Sequence, residues 1–256
     1  MPPGRPYDTP AIVIRVRPFG ETSQVVQLAT PGHGLVAAMV KGAHRPGPEF
    51  QGGLSLGTLG AARLVRRRGA EMDLLRRFRL TEDVRGLRRE LVRYYGACYV
   101  IELLRAWMQP ALPALSLYGA ATTTLRALAR APRASLEGWI VWFEARALAA
   151  GGHRPRLEAC AVCDERFDGD ILFSGDAGGL VHARCAPDGP TRRLGDAECE
   201  GLARVYTARL AELHERPLSD QAVRATRQVH DLFVPYVLER KPRALAPLRR
   251  ATMTQR

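Results

Sequence analysis

The sequence predicts an α+β chain in two parts: a small N-terminal β-barrel, then an α-helical domain carrying a metal-binding insertion. Three observations predict it. Residues 7 to 80 run as short alternating apolar and polar stretches cut by Gly and Pro turns. From Thr81 the apolar period changes to three and four residues. After the third helical segment comes Cys160-Ala-Val-Cys163, then eighteen residues, then His182-Ala-Arg-Cys185. The expected boundaries are 1–80 for the barrel and 81–256 for the helices, with the insertion at about 155–190.

Five strands account for the first part. Ala11 to Val16 alternates, with Ile12, Ile14 and Val16 on one face and Val13, Arg15 and Arg17 on the other. Gly20-Glu21-Thr22-Ser23 interrupts it and Gln24 to Ala29 resumes. Pro31-Gly32-His33-Gly34 turns the chain into Leu35 to Val40. After a Gly- and Pro-rich loop, Thr58 to Arg67 and Ala70 to Arg79 form two more strands across a turn at Gly69. Five strands in this length fit a partly closed OB-fold; an SH3-like barrel has the same periodicity.

The barrel also carries the most pointed basic residues. Arg15 and Arg17 alternate outward, Lys41 and Arg45 follow the third strand, and Arg66, Arg67 and Arg68 occupy a hairpin tip. Arg76, Arg77 and Arg79 lie on the last strand. Converging from several strands, such side chains form a groove for a phosphate backbone; scattered, they are solvated surface charge. Phe19, Phe50 and Phe78 are candidate stacking platforms, though core or loop-anchoring roles are the expectation. With so few aromatics, binding would rest on phosphates and depend on salt.

The helices follow in order. Val84, Leu87, Leu91, Tyr94, Cys98, Ile101 and Leu104 mark an amphipathic helix over Asp83–Trp107, ended by Gln109-Pro110. Glu102, near its apolar stripe, is expected to cap a helix or pair with an arginine. Leu117–Ala129 is a second helix. Ser135 is placed to cap a third, Leu136–Ala149, the most apolar in the chain. Asp196–Leu213 and a helix opened by Leu218-Ser219 come after the insertion. The tail from Arg240 holds six basic residues and no acidic one, the composition of a mobile arm.

Paired soft ligands two residues apart suit two knuckle turns that close a tetrahedron around zinc. Cys160, Cys163, His182 and Cys185 fill all four positions and leave none open for substrate, which favours a structural metal. His182 stands where a fourth cysteine is more usual, and Cys199 is its rival. A disulfide framework is not expected, since the five cysteines are an odd count and no signal peptide precedes them.

At 256 residues the chain has room for one to three domains. Its longest apolar runs are too short to span a bilayer, and the expectation is a cytoplasmic protein. A net charge of +12 points to acidic partners, nucleic acid first. Only Lys41 and Lys241 are lysines, so coding bias towards arginine competes with that explanation. There is no phosphate loop, no His-Glu-x-x-His, no Gly-x-Ser-x-Gly and no dinucleotide fingerprint. His33, His44, His153, His214 and His230 have no carboxylate or cysteine at motif spacing. The residues propose no reaction, and the chain is expected not to be an enzyme.

In this order of parts the chain resembles the bacterial RecO family of DNA repair and recombination mediators. The resemblance rests on Ala11-Ile-Val-Ile-Arg15, Phe19-Gly-Glu-Thr-Ser23 and Val40-Lys-Gly-Ala-His-Arg45. In the helical part it rests on Tyr99-Val-Ile-Glu-Leu103 and Gly152-His-Arg-Pro-Arg-Leu-Glu-Ala-Cys-Ala-Val-Cys163. His182 replaces a family cysteine, and some members lack the ligands altogether. The resemblance implies binding of single- and double-stranded DNA and annealing of complementary strands. It also implies partnership with RecR, in some lineages with RecF or the acidic tail of single-stranded-DNA-binding protein (SSB), and help in loading RecA. It makes Lys41 and Arg45 the first candidates for DNA contact, and implies a bacterial, nucleoid-associated location. The competing reading of the same charge and barrel is a zinc-supported RNA-binding or ribosome-associated factor.

Overall fold

The computed structural model describes residues 4–42, 50, 54–66 and 69–253. The chain forms two compact units, one of residues 1–130 with 244–256 and the other of residues 131–243.

The first unit is built on five strands, β1 (Arg5–Phe19), β2 (Ser23–Thr30), β3 (Gly34–Val40), β4 (Leu59–Arg66) and β5 (Asp73–Leu80), closed in the order β1-β2-β3-β5-β4. The short parallel contact of β3 with β5, Ala38 to Asp73 and Met39 to Leu74, gives the OB connectivity and separates it from a meander. β1 is long enough to serve two sheets. Its N-terminal half pairs with β4 and its C-terminal half with β2, and Ile12 faces both Leu59 and Ala29. Just past this pivot the register with β2 shifts between Val13 and Arg15. The bulge resets the alternation, so Val13 and Val16 both reach the barrel interior, not opposite faces as simple alternation predicts. Val26, Leu28, Val36, Ala38, Leu64, Leu75 and Phe78 complete that interior.

Two helices of this unit, α1 (Leu91–Trp107) and α2 (Leu115–Arg130), pack on each other. α1 starts eight residues later than its periodicity predicts. The Asp83 carboxylate accepts from the Arg85 amide at 2.9 Å and from its guanidinium, a local turn that competes with helix. Residues Arg85–Arg88 form a 3-10 turn in which Gly86 lies so close to the Ala129 carbonyl that a Cβ would sit 2.0 Å from its oxygen. The start of β3 is tied to the α1–α2 connection by Leu35 N–H to Gln109 O (3.2 Å) and Ala111 N–H to His33 O (3.0 Å).

The basic tail is not a free arm over its described length. It forms α7 (Leu245–Met253), packed on α1 with Leu248 and Ala251 buried. The Ala244 amide donates to the Glu102 carboxylate at 2.9 Å, so Glu102 caps a helix, one of its two expected roles.

The second unit centres on α3 (Leu136–Ala150), which packs against α4 (Asp196–Thr207) and α6 (Asp220–Val237). Ser135 does not cap α3 with its side chain; its hydroxyl donates to Pro132 O at 2.9 Å inside a preceding 3-10 turn. Ser219 does cap α6, accepting from the Ala222 amide at 3.2 Å. The single helix expected over Asp196–Leu213 is two, α4 and α5 (Leu210–Glu215). The half-buried Arg146 guanidinium binds the carbonyl oxygens of Val205, Tyr206 and Ala208 at 2.8 to 3.0 Å, satisfying acceptors where α4 ends.

Inside this unit lies a polar chain that no sequence motif announces. The Glu144 carboxylate, with no exposed surface, accepts from Arg227 at 2.7 Å and meets His230 Nδ1 at 2.8 Å. His230 Nε2 is 2.8 Å from the Tyr206 hydroxyl. Burial, then the nearby Glu144 charge, pushes the Tyr206 phenol well above its ordinary range. His230, which had no carboxylate at motif spacing, acquires one from α3 by packing.

Between α3 and α4 sits a three-stranded sheet, β6 (Ile171–Ser174), β7 (Gly179–His182) and β8 (Thr191–Leu194), in the order β7-β6-β8. β6 and β7 form an antiparallel hairpin between the two ligand pairs, and β8 adds a third strand that carries the sheet to Leu194. Phe173 of β6 meets Phe233 of α6 edge to face, with centroids 5.4 Å apart.

Candidate functional site

The insertion gathers Cys160, Cys163, His182 and Cys185 so that their ligand atoms all lie within 4.8 Å of one another. The local fold explains why. The Cys160 amide donates to Glu165 O and the Asp164 amide to Cys160 O, both at 3.0 Å, closing a knuckle. Asp164 takes the left-handed conformation this turn needs (φ 65°). His182 ends β7, and Cys185 ends the 3-10 turn Ala183–Cys185. The strand leading to Cys160 is held to β7 by Arg156 N–H to Gly178 O and Leu180 N–H to Arg156 O. Only glycine fits at 179, where a Cβ would lie 2.3 Å from the Arg156 carbonyl oxygen.

The electrostatics suit a cation. Burial alone would raise the Cys160 thiol. Hydrogen bonds from the Cys163, His182 and Val162 amides and from the Cys163 thiol outweigh it and bring Cys160 down to about 6. His182 is buried, its Nδ1 3.5 Å from Cys163 Sγ. Its Nε2 is 3.0 Å from both the Arg166 carbonyl and the Asp168 carboxylate. Nδ1 therefore faces the thiols while Nε2–H donates outward, the arrangement that orients a metal-binding imidazole. Arg184 braces the outside, 3.0 Å from both Glu165 and Asp168. Three thiols and an imidazole form a soft, closed four-ligand set that can hold a metal ion and leaves no open position. Cys199 lies on α4 outside this group. Burial first, then Asp196 and Glu198, push its thiol up to about 11.

The basic residues of the barrel fall on two walls. On the wall of β1, β2 and β3, Arg15 is opposite Gln27 and Arg17 opposite Val25, Met39 is opposite Val25, and Lys41 follows two residues beyond Met39. Arg17 and Lys41 are exposed and Arg15 is half-buried. Phe19, about half exposed, stands at the end of β1; Phe78 is in the barrel core and Phe50 packs against it. On the wall of β4 and β5, Arg77 is directly opposite Arg63 and Arg79 opposite Ala61. Arg76 is the extra residue of a bulge there. Arg63, set among apolar residues in mid-strand, gave no signal in the sequence as a candidate. Arg66 is not free for a ligand, since it pairs with Asp73 (3.7 Å) and lies over the Tyr7 ring at 5.1 Å. Arg45, Arg67 and Arg68 lie outside the described residues.

A closed OB barrel with exposed basic residues on two walls, followed by helices and a Cys/His cluster that can hold a metal ion, defines the class of protein. Among the described residues no helix is long and apolar enough to cross a membrane. The chain belongs to the recombination protein O family. The family model described as Recombination protein O N terminal matches residues 5–83, and Recombination protein O C terminal matches 88–246. The chain is 33% identical over 234 residues to the DNA repair protein RecO of Anaeromyxobacter sp. (strain K), covering 90% of this chain and 91% of that protein. It is 29% identical over 243 residues to that of Symbiobacterium thermophilum, covering 93% and 94%. To the protein of the same name from Rhodopirellula baltica it is 33% identical over 181 residues, covering 69% and 66%. The two family models end and begin at residues 83 and 88, whereas the compact units divide at 130/131.

Proposed function

We propose that this chain is a non-catalytic mediator of DNA repair and recombination. It binds single- and double-stranded DNA through the barrel, anneals complementary strands and, with RecR and RecF, helps to load RecA onto strands coated by SSB. The SSB acidic tail is a further partner for so basic a chain. The observation that carries this reading is an OB barrel with exposed Arg17 and Lys41 on one wall, in a chain that matches DNA repair proteins over nearly its whole length. Such a wall neutralises phosphates and so lowers the repulsion between two strands; the salt-sensitive hold lets the product go. No open metal position is required. The metal in this reading is zinc, held by Cys160, Cys163, His182 Nδ1 and Cys185, and it supplies folding free energy to the second unit.

The test is annealing of complementary oligonucleotides coated with SSB, across a salt series, with no nucleotide added. Annealing should fade as salt rises. Arg17→Glu with Lys41→Glu should weaken single-strand binding across all sequences and reduce the salt slope by about 1.4. Absence of annealing combined with tight binding of folded RNA would replace this reading with the RNA-binding one.

A further inference from the structure

The two walls of the barrel are distinct surfaces. β1 pivots at Ile12, so Arg15 and Arg17 belong to the sheet with β2 and β3, and Arg63, Arg77 and Arg79 to the sheet with β4 and β5. The link between β3 and β5 is only two residue pairs long. On the second wall the charges are arranged against the interests of the fold. Arg63 and Arg77 are cross-strand neighbours, and like charges directly opposite destabilise a sheet. Asp8, on the other side of Arg63, is the one carboxylate in that row, and no ion pair joins them. Arg63, Arg76, Arg77 and Arg79 are all exposed, and none makes an ion pair or side-chain hydrogen bond among the described residues. Residues 77 and 79 project from the same side about 7 Å apart along β5, with Arg63 about 5 Å across, a patch on the scale of successive phosphates of one extended strand. The bulge at Arg76 turns a fourth guanidinium out of the ladder.

We propose that the outer face of β4 and β5 is a second phosphate-binding surface, so that one barrel holds two DNA strands at once, one on each wall. This rests on the DNA-binding reading above and goes further by assigning a separate site and its residues. Two strands held on one small rigid body are at high effective concentration with respect to each other, which is what annealing needs.

The test counts short oligothymidylates, which cannot pair with one another, bound per protein chain by native mass spectrometry and by fluorescence titration. The parent should bind two. Arg63→Gln/Arg77→Gln/Arg79→Gln should bind one, with the salt slope of the lost event about 2. Arg15→Gln/Arg17→Gln/Lys41→Gln should also bind one, and the combined variant none. Replacing the three β4–β5 arginines by lysine should restore the second strand, because the charge is kept. Thermal melting checks that each variant folds, and all of these positions but the half-buried Arg15 are exposed. Parental occupancy in the β4–β5 variant, or a parent that binds one strand and is unaffected by that variant, overturns this inference and leaves DNA binding intact. A parent that binds no oligonucleotide overturns the proposed function and this inference together.

Discussion

Arginine does opposite work inside the second unit and on the β4–β5 wall of the barrel in the first. In the second, Arg227 is nearly buried and bonded to Glu144 and Glu137, and Arg146 donates to three carbonyl oxygens. Around the metal ribbon Arg156, Arg184 and Arg193 each pair with a carboxylate. In the barrel Arg63, Arg76, Arg77 and Arg79 have no such partners among the described residues. The first 80 residues hold twelve basic and five acidic side chains, a surplus of seven within the net +12 of the whole chain. The difference teaches that total charge is a poor guide to function. Paired arginines belong to the fold, whereas exposed arginines concentrated on a sheet without such pairs are the ones available to an outside partner.

The comparison breaks most severely at the metal ribbon. On the zinc reading proposed above, Cys160→Ser should lower metal content and cost upwards of about 5 kcal/mol of stability by removing a buried ligand from a closed site, and chelation should do the same by removing the ion. Calorimetry together with metal analysis checks this; a stable, metal-free variant would rule out a structural metal. Arg227→Ala should cost about 3–5 kcal/mol by leaving the buried Glu144 carboxylate short of its cation, with DNA binding per folded molecule unchanged. Arg77→Ala should do the reverse. Its stability should stay within about 0.5 kcal/mol of the parent, or rise through relief of Arg63, while the salt slope of binding falls by about 0.7. Should denaturant melts show that Arg77→Ala destabilises as much as Arg227→Ala, the division between structural and functional arginines would collapse.

The smallest effect concerns Tyr7, at the seam of the barrel. Burial, and then its hydrogen bond to Asp73, raise its phenol to about 12. The folded state therefore keeps this proton while the unfolded chain, with an ordinary pKa near 10, loses it. Its contribution to stability is complete below about pH 10 and declines as pH rises towards 12. Tyr7→Phe should flatten that alkaline decline slightly, measurable as melting temperature against pH.

The sequence by itself determined the five strands, their order along the chain, and the four members of the Cys/His cluster. Each is written locally: alternation of side chains marks a strand, and a two-residue gap between cysteines marks a knuckle. It also marked Leu218-Ser219 as a helix start and Gln109-Pro110 as a helix end. Where local signals conflicted it misled, as at Asp83, whose carboxylate favours a turn over the helix that the apolar period suggests. Tertiary structure alone decided the rest. The pivot at Ile12 and the bulge after it put the arginines on two walls, because register between strands is set by packing and not by either strand alone. Glu144 and His230 are 86 residues apart, and nothing short of helix packing brings them together. The exclusion of Cys199 in favour of His182, the turning of Nδ1 towards the thiols, and the docking of the basic tail as a helix capped by Glu102 have the same origin. Each depends on which distant groups share one low-dielectric space, and that is a property of the folded chain.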